Sequence, residues 1–372
     1  VTVEIVSAES GRAHAEFIEL PYRLYRHDRF FVPHLRKERE AFFSKAHPFF
    51  EHADSAFFLA RRDGRAVGRI EANVNHAHNT FYGDKTGFFG AFESEDDREA
   101  SEALLSTAAS WLRARGMTAM RGPATHSQNE EYGLLVDGFD APPVAQMTYN
   151  PRYYATLLES FGLSKVKDFY AWWLPTSIEI DPRMRRVAEI AKRRKGVKVR
   201  PLRMQDYDTE VERALPLLNQ ALQHAWGFVP STPRELSHVA EQFRSVLQPE
   251  LVLFAEIEGA LAGIALSIPD VNQALARVKN GRLWPFGLLQ LLWGFRRVNQ
   301  GRLVVLGVLA EYRKRGIDAL LSLESLEAAR RLGYRGGELS TTVEDNHLIN
   351  RFIESIGALR YKTYRLYQKP LG

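Results

Sequence analysis

Arg313-Lys314-Arg315-Gly316 puts three cations and a glycine directly after the apolar run Leu303–Ala310. That run is short enough for a buried strand and too short to cross a membrane. Beyond the glycine, Ile317, Leu320, Leu321, Leu323 and Leu326 recur at helical spacing, with Gly333 as a stop. A strand, a basic glycine turn and a helix together make an anion-binding geometry. Free backbone N–H groups at the helix start point toward a ligand, the helix dipole favours negative charge, and the basic side chains add Coulomb attraction. A phosphate-bearing ligand is the expected guest.

Other arrangements that carry chemistry are sparse. Cysteine is absent, which excludes disulfides, thiolate nucleophiles and cysteine-ligated zinc. His76-x-His78, and His47 with His52, lack the helical pairing and acidic support of a metal site, so none is expected. There is no Ser–His nucleophile motif and no G-x-G-x-x-G. A polar excursion over 121–130, with His126 and Asn129, offers side chains that can line a substrate site.

These residues must be positioned by a chain of 372 residues, long for one domain and ordinary for two. Hydrophobic residues make up 45% and charged residues 26%, which is globular and excludes a disordered tract. The net charge of +5 is compatible with anionic ligands or surfaces, and no nucleic-acid module is recognisable. The start of the chain, Val1–Val6, reads as a strand with no export signal, so the cytoplasm is the expected location.

An internal repeat divides the chain. Phe57-Phe58-Leu59-Ala60 with Asp63-Gly64 resembles Val252-Leu253-Phe254-Ala255 with Glu258-Gly259, and Glu159-Ser160-Phe161-Gly162 resembles Glu354-Ser355-Ile356-Gly357; each pair is 195 residues apart. One offset holding on both flanks predicts a duplicated α/β unit built on a mixed (α+β) sheet. The seam is placed after Trp172-Trp173-Leu174-Pro175, giving domains 1–175 and 176–372. The copies differ at the turn after the central strand. The first has Glu93, Glu95, Asp96 and Asp97 where the second has arginine and lysine, and carboxylates repel a pyrophosphate. The second copy is therefore the expected ligand site, the first a degenerate one.

The second copy also carries an insert, 271–301. From Val271 to Ala310 there is no acidic residue against six basic ones, Arg277, Lys279, Arg282, Arg296, Arg297 and Arg302. A helix from Pro285 would show Phe286, Leu288, Leu289, Leu291, Leu292, Trp293 and Phe295 over a wide face, with Trp284 just before it. Two tryptophans flanked by arginines suit the headgroup region of an anionic membrane, and equally a cover helix on the protein's own core or a partner subunit. Trp284, Phe286 and Trp293 are accordingly candidate substrate-side residues.

Arg313-Lys-Arg-Gly316-Ile-Asp318 resembles the pyrophosphate signature of the GNAT superfamily of acyl-CoA-dependent N-acyltransferases, and 346–357 resembles its Asn-helix-Gly segment. The tandem halves and phrases such as Asn150-Pro-Arg-Tyr-Tyr154 are similar to bacterial tandem-GNAT proteins, some linked to ceramide synthesis. The resemblance implies two tandem GNAT-like domains and acyl-CoA or acetyl-CoA as co-substrate, with an amine as acceptor. It implies that Leu306, Val308 and Leu309 offer backbone to the pantetheine arm, and that Arg313, Lys314, Arg315, Gly316, Ile317, Asp318 and Ala319 hold the pyrophosphate. Asn346 would anchor the cofactor arm, Glu344 or His347 would accept the amine proton, with Glu256 and His224 as more distant candidates, and Tyr364 would donate to the thiolate. Three departures stand out: Asp318 where a small residue is usual, Ile353 where many members place a tyrosine acid, and Ala358 in place of an aromatic. Three readings remain open at this level: long-chain acyl transfer to a lipid amine at the inner membrane face, acetyl transfer to a small soluble amine, and a non-catalytic binding protein.

Overall fold

The computed structural model describes residues 2–127 and 129–372. Gln128 of the polar excursion lies outside the described residues. In chain order the first elements are β1 (Glu4–Ser7), α1 (Gly11–Leu24), α2 (Arg36–Phe42), β2 (Ala53–Arg62), β3 (Arg65–Asn75), α3 (His76–Tyr82), β4 (Thr86–Ser94) and α4 (Arg98–Arg113). There follow β5 (Ala119–Gly122), β6 (Ala124–Thr125), β7 (Glu131–Tyr132), β8 (Leu134–Asp137), α5 (Tyr154–Ser160) and β9 (Ser164–Pro175). Then come α6 (Pro182–Lys192), β10 (Val197–Pro201), α7 (Tyr207–Leu222), α8 (Pro233–Phe243), β11 (Val252–Ile257), β12 (Ala260–Pro269), α9 (Asn272–Leu275) and α10 (Gly287–Phe295). The last are β13 (Gln300–Val308), α11 (Ile317–Arg331), β14 (Gly336–Val343), α12 (His347–Ser355) and β15 (Leu359–Pro370).

Two compact units result. The first takes the chain up to Phe169 together with Leu275–Gly294 and Lys362–Gly372; the second takes Tyr170–Ala274 and Phe295–Tyr361. Much of the insert, and the C-terminal residues, thus pack with the first unit.

In the first unit the strands run β1-β2-β3-β4-β5, and the end of β15 completes the row antiparallel to β5, with Tyr367 opposite Gly122. Alternation along β3 sends Ile70, Ala72 and Val74 toward α4, whose Leu104, Leu105 and Leu112 are fully buried. The other face of the sheet packs Phe57 and Leu59 against Phe17, Ile18 and Leu20 of α1 and against Phe43. Helix α4 starts at Asp97, whose carboxylate accepts from Ala100 N at 3.1 Å and pairs with Arg62 at 2.8 Å. Glu95 pairs with Arg23 at 2.9 Å and Arg65 at 2.6 Å. Two of the four carboxylates of this turn, Glu95 and Asp97, are therefore consumed in capping and ion pairs.

In the second unit the order is β14-β13-β12-β11-β10. Leu253, Ala255, Ala262 and Ala265 face Ile317 and Leu321 of α11. Val252, Phe254 and Ile264 face Tyr207, Ala214 and Leu217 of α7. Helix α6 begins at Pro182 behind the cap Asp181, which accepts from Arg183 N at 2.7 Å, and lays Ala188 and Ala191 on Leu320 and Leu323.

The repeat is visible in backbone conformation. Asp63 and Glu258 both sit at φ 52°, and Gly162 and Gly357 at 88° and 86°. The β2/β3 and β11/β12 hairpins each shift register after the equivalent alanine, Ala60 and Ala255. Each central strand has a parallel neighbour for a short stretch only: Thr86↔Ala119 to Phe88↔Arg121 in one copy, Gln300↔Gly336 to Leu303↔Leu339 in the other.

Candidate active site

The fork between β13 and β14 is the centre of the second unit. Leu303 pairs with Ser267 and Val305 with Leu266, so Val304 is the extra residue of a β-bulge. A bulge bends its strand and raises its twist, and this one falls where the parallel register with β14 ends. From Val305 to Val308, among the described residues, β13 is paired with β12 alone. Among the described residues its other edge has no β14 partner over this stretch. Leu306 is 36% exposed there, while Leu309 is buried and donates its N–H to Ala262 O at 2.9 Å.

At the end of β13 the chain turns sharply. Lys314 and Gly316 take left-handed φ of 59° and 78°, and Gly316 is the N-cap of α11. A Cβ on Gly316 would stand 2.9 Å from Val187 Cγ1 of α6 on top of the positive φ, so glycine is required twice over. Arg313 donates from Nε to Val308 O at 3.2 Å, tying the turn to the strand edge. Arg313, Lys314 and Arg315 are all exposed, with Arg315 lying 5.3 Å from the Tyr312 ring. Ile317 is buried under the turn, Ala319 is half-buried, and the exposed Asp318 sits in the first turn of the helix. The N-terminus of α11, its free N–H groups and three cations form a cradle whose chemistry fits a pyrophosphate.

Past the fork on the β14 side lie Glu344, half-buried in the turn, and Asn346, which caps α12 by accepting from Ile349 N at 3.4 Å. His347, the first residue of α12, is exposed. All three follow the last paired register of β14, on the side of the fork where β13 continues to Val308. Glu256 instead pairs with Arg200 at 2.8 Å within the second unit. Ile353 is 7% exposed and packs with Trp172 and Ala358. Tyr364 belongs to the first unit, where it is 1% exposed on β15 and opposite Leu135. Sequence reasoning missed the base of the fork. Arg302 donates to Ser340 Oγ at 2.8 Å and lies 3.8 Å from the fully buried Glu338, which also accepts from Ser340 and Tyr361. Arg302 is therefore an internal cation rather than part of the insert's basic rim.

In the first unit the matching fork is filled. Ala91 N donates to Thr125 Oγ1 at 2.8 Å, and a Cβ on Gly90 would stand 2.4 Å from Ala124 O. His126 follows at φ 61°, 1% exposed, with Asn129 exposed beyond it. Around His126 lies a buried polar group that the sequence did not announce. Glu71 and Asn73 of β3 are fully buried, and His47 is 4% exposed. Burial lifts the Glu71 carboxyl to about 8, against weaker opposing hydrogen bonds from His126 N and Ser55. Burial would also raise Glu131, but the charge and paired hydrogen bonds of Arg39 outweigh it and hold that carboxyl at about 2. The available signal was the alternation Arg69, Glu71, Asn73, Asn75, a polar face on a strand whose other face is apolar.

Helix α10 starts at Gly287, two residues after the expected Pro285. Gly287, Leu291 and Gly294 are buried, whereas Trp284 is 86% exposed and Phe286, Leu288, Leu289, Leu292 and Trp293 are exposed as well. Arg277 stacks on the Trp293 ring at 4.4 Å. Among the described residues no helix is long and apolar enough to cross a membrane, and no group of three His, Asp or Glu is arranged to hold a metal.

No family model matches the chain. It is 38% identical over 369 residues to the bacterial ceramide synthase of Caulobacter vibrioides, covering 95% of this chain and 94% of that protein. It is 34% identical over 362 residues to Protein YghO of Escherichia coli, covering 95% and 92%. Among solved structures, a tandem GNAT protein from the clavulanic acid biosynthesis pathway matches with a TM-score of 0.60 at 14% identity, over 100% of this chain and 99% of that one. A GCN5-related N-acetyltransferase from Sphaerobacter thermophilus matches with a TM-score of 0.54 at 15% identity, over 99% and 96%. The structures establish a tandem-GNAT fold, and identity at this coverage establishes the kinship: the chain belongs to the family that includes the bacterial ceramide synthase of Caulobacter vibrioides and Protein YghO.

Proposed function

We propose that this enzyme transfers a long-chain acyl group from acyl-CoA to the primary amine of a lipid, a sphingoid-like amine, at an anionic membrane surface on the cytoplasmic side. The observation that carries the reading is the 38% identity, over nearly the whole chain, to a protein named bacterial ceramide synthase. The exposed apolar face of α10 beside exposed Lys279, Arg296 and Arg297 supports the surface.

The residues divide the work as follows. Arg313, Lys314 and Arg315, with the first N–H groups of α11, neutralise the CoA pyrophosphate. The free edge of β13 at Leu306–Leu309 hydrogen-bonds the pantetheine arm and directs an N–H at the thioester carbonyl, where negative charge develops. Asn346 steadies the arm. Glu344 or His347, through water, takes the proton from the acceptor ammonium. The neutral nitrogen then forms the C–N bond, the C–S bond breaks, and the proton that the nitrogen sheds as the amide forms passes through water to the departing thiolate.

The test is thiol release from a panel of acyl-CoAs, each with and without a long-chain amino alcohol or a small soluble amine. Release that needs a long acyl chain and the long-chain acceptor is the expected result. Preference for acetyl-CoA with a small amine, or no release with any pair despite measured CoA binding, overturns the reading.

A further inference from the structure

We propose that Glu71, Asn73 and His126 form, within the first unit, a binding site for the ammonium head of an apolar amine. Buried polar groups are almost always answered by a partner, and among the described residues three polar atoms of this group are not. Among the described residues, both ring nitrogens of His126 and Oδ1 of Asn73 find no hydrogen-bond partner although the two residues are 1% and 0% exposed. Asn73 uses its amide nitrogen on Ala124 O at 3.4 Å, which leaves the oxygen over.

Glu71 has the matching deficiency, since among the described residues no Arg or Lys pairs with it. Its oxygens accept from Ser55 Oγ at 3.1 Å and from His126 N at 3.2 Å, and the His126 ring nitrogen lies 3.8 Å away. The nearby guanidinium groups are committed elsewhere. Arg39 is paired with Glu131 at 3.1 Å, and Arg69 with Phe17 O at 2.7 Å and Glu93 at 3.7 Å. A carboxyl, an amide oxygen and an imidazole nitrogen left over together are acceptors for one donor-rich cation. Of the three, only Glu71 and His126 are of the His, Asp and Glu type, and among the described residues no group of three such side chains is arranged to hold a metal. An ammonium brings three donors and a full charge.

The surroundings specify what the ammonium is attached to. The rings of Phe42 and Phe49 stack on His126 at 4.2 and 5.0 Å, and those of Phe43 and Phe50 meet it edge-on at 5.8 and 5.1 Å. Aromatic faces attract a cation and suit an alkyl tail. Phe42 and Phe50 are half-buried and reach the surface, which marks the way in. The site concerns binding alone and stands independently of the long-chain transfer reading.

The experiment is isothermal titration calorimetry of the full chain with octylamine and with N-octylacetamide, which keeps the tail and removes the charge. Because burial keeps Glu71 protonated near neutral pH, an ammonium that binds should displace its proton. The expected result is binding of the amine roughly tenfold or more tighter than the amide, with release of about one proton, read from titrations in buffers of different ionisation enthalpy. Glu71→Gln, its fold checked by circular dichroism, should weaken the amine roughly tenfold and remove the proton release. Adsorption on the exposed face of α10 would treat amine and amide alike. Equal affinity for the two ligands, binding without proton release, or an unchanged Glu71→Gln variant overturns the proposal. Thiol release plays no part in the readout, so failure here and failure of the transferase reading are told apart.

Discussion

The backbone N–H of Ala91 donates to Thr125 Oγ1 at 2.8 Å, so where the first unit's central strand loses its parallel neighbour the protein's own chain takes the vacant edge. The second unit leaves the equivalent edge of β13 open beside a basic turn. One CoA per chain is therefore expected, measured by calorimetry at low salt. Replacing Arg313, Lys314 and Arg315 together with serine should weaken it roughly 10- to 100-fold and flatten its salt dependence. A stoichiometry near two would mean that the first fork also takes the ligand.

Gly316 tests the turn by shape rather than charge. Gly316→Ala must hold a Cβ at φ 78° against Val187, and should cost about 2 kcal/mol, seen as a Tm lowered by several degrees. Val187→Ala in the same chain should restore part of the loss, because it removes the clash and leaves the backbone strain. A Gly316→Ala protein that melts unchanged would contradict this geometry.

Glu71 makes stability depend on pH in the unusual direction for a carboxylate. Its folded-state value, raised to about 8 by burial, lies above the ordinary 4.5, so the folded form holds a proton that the unfolded chain gives up. The contribution is fully present below about pH 4.5 and is lost as pH rises through about 8, an effect on the order of a few kcal/mol. Tm should fall across that window, and Glu71→Gln should fall less. Parallel curves for the two proteins would show that the carboxyl does not carry the proton.

For α10 the measurement is co-sedimentation with phosphatidylglycerol vesicles at low salt. The protein should pellet with them, and less so as salt is raised, since part of the attraction is screened Coulomb energy. Trp293→Ser with Arg296→Ser should abolish pelleting. If the doubly substituted protein sediments equally well, the exposed Trp284 and Phe286 serve some other contact.

The duplication could be read from the sequence because the hairpin turns demand particular backbone. Asp63-Gly64 and Glu258-Gly259 occupy left-handed positions that few residues tolerate, so the residue types survive in both copies. The basic turn was legible for a similar reason, glycine and cations being adjacent in the chain. The polar group around His126 was not, because its burial is a property of distant segments. Phe17, which packs on Arg69, and Phe43 and Phe49, which pack on His126, come from three separate stretches of chain, and nothing local to Glu71 or Asn73 distinguishes them from a solvated strand face. Arg302 misled for the converse reason: counted with its neighbours it looked like surface charge, and only its register opposite Glu338 reveals the internal pair.

The placement of β15 sets a timetable for biosynthesis. Tyr367 to Pro370 complete the first unit's sheet beside Gly122 to Ala119. A ribosome making this chain has finished β5 long before those residues exist, so β5 emerges with an edge that must wait for most of the polypeptide. The second unit's strands β10 to β14 are all made during that delay. The unit that begins first is thus the one that closes last, and until then its open edge is the segment most in need of a chaperone.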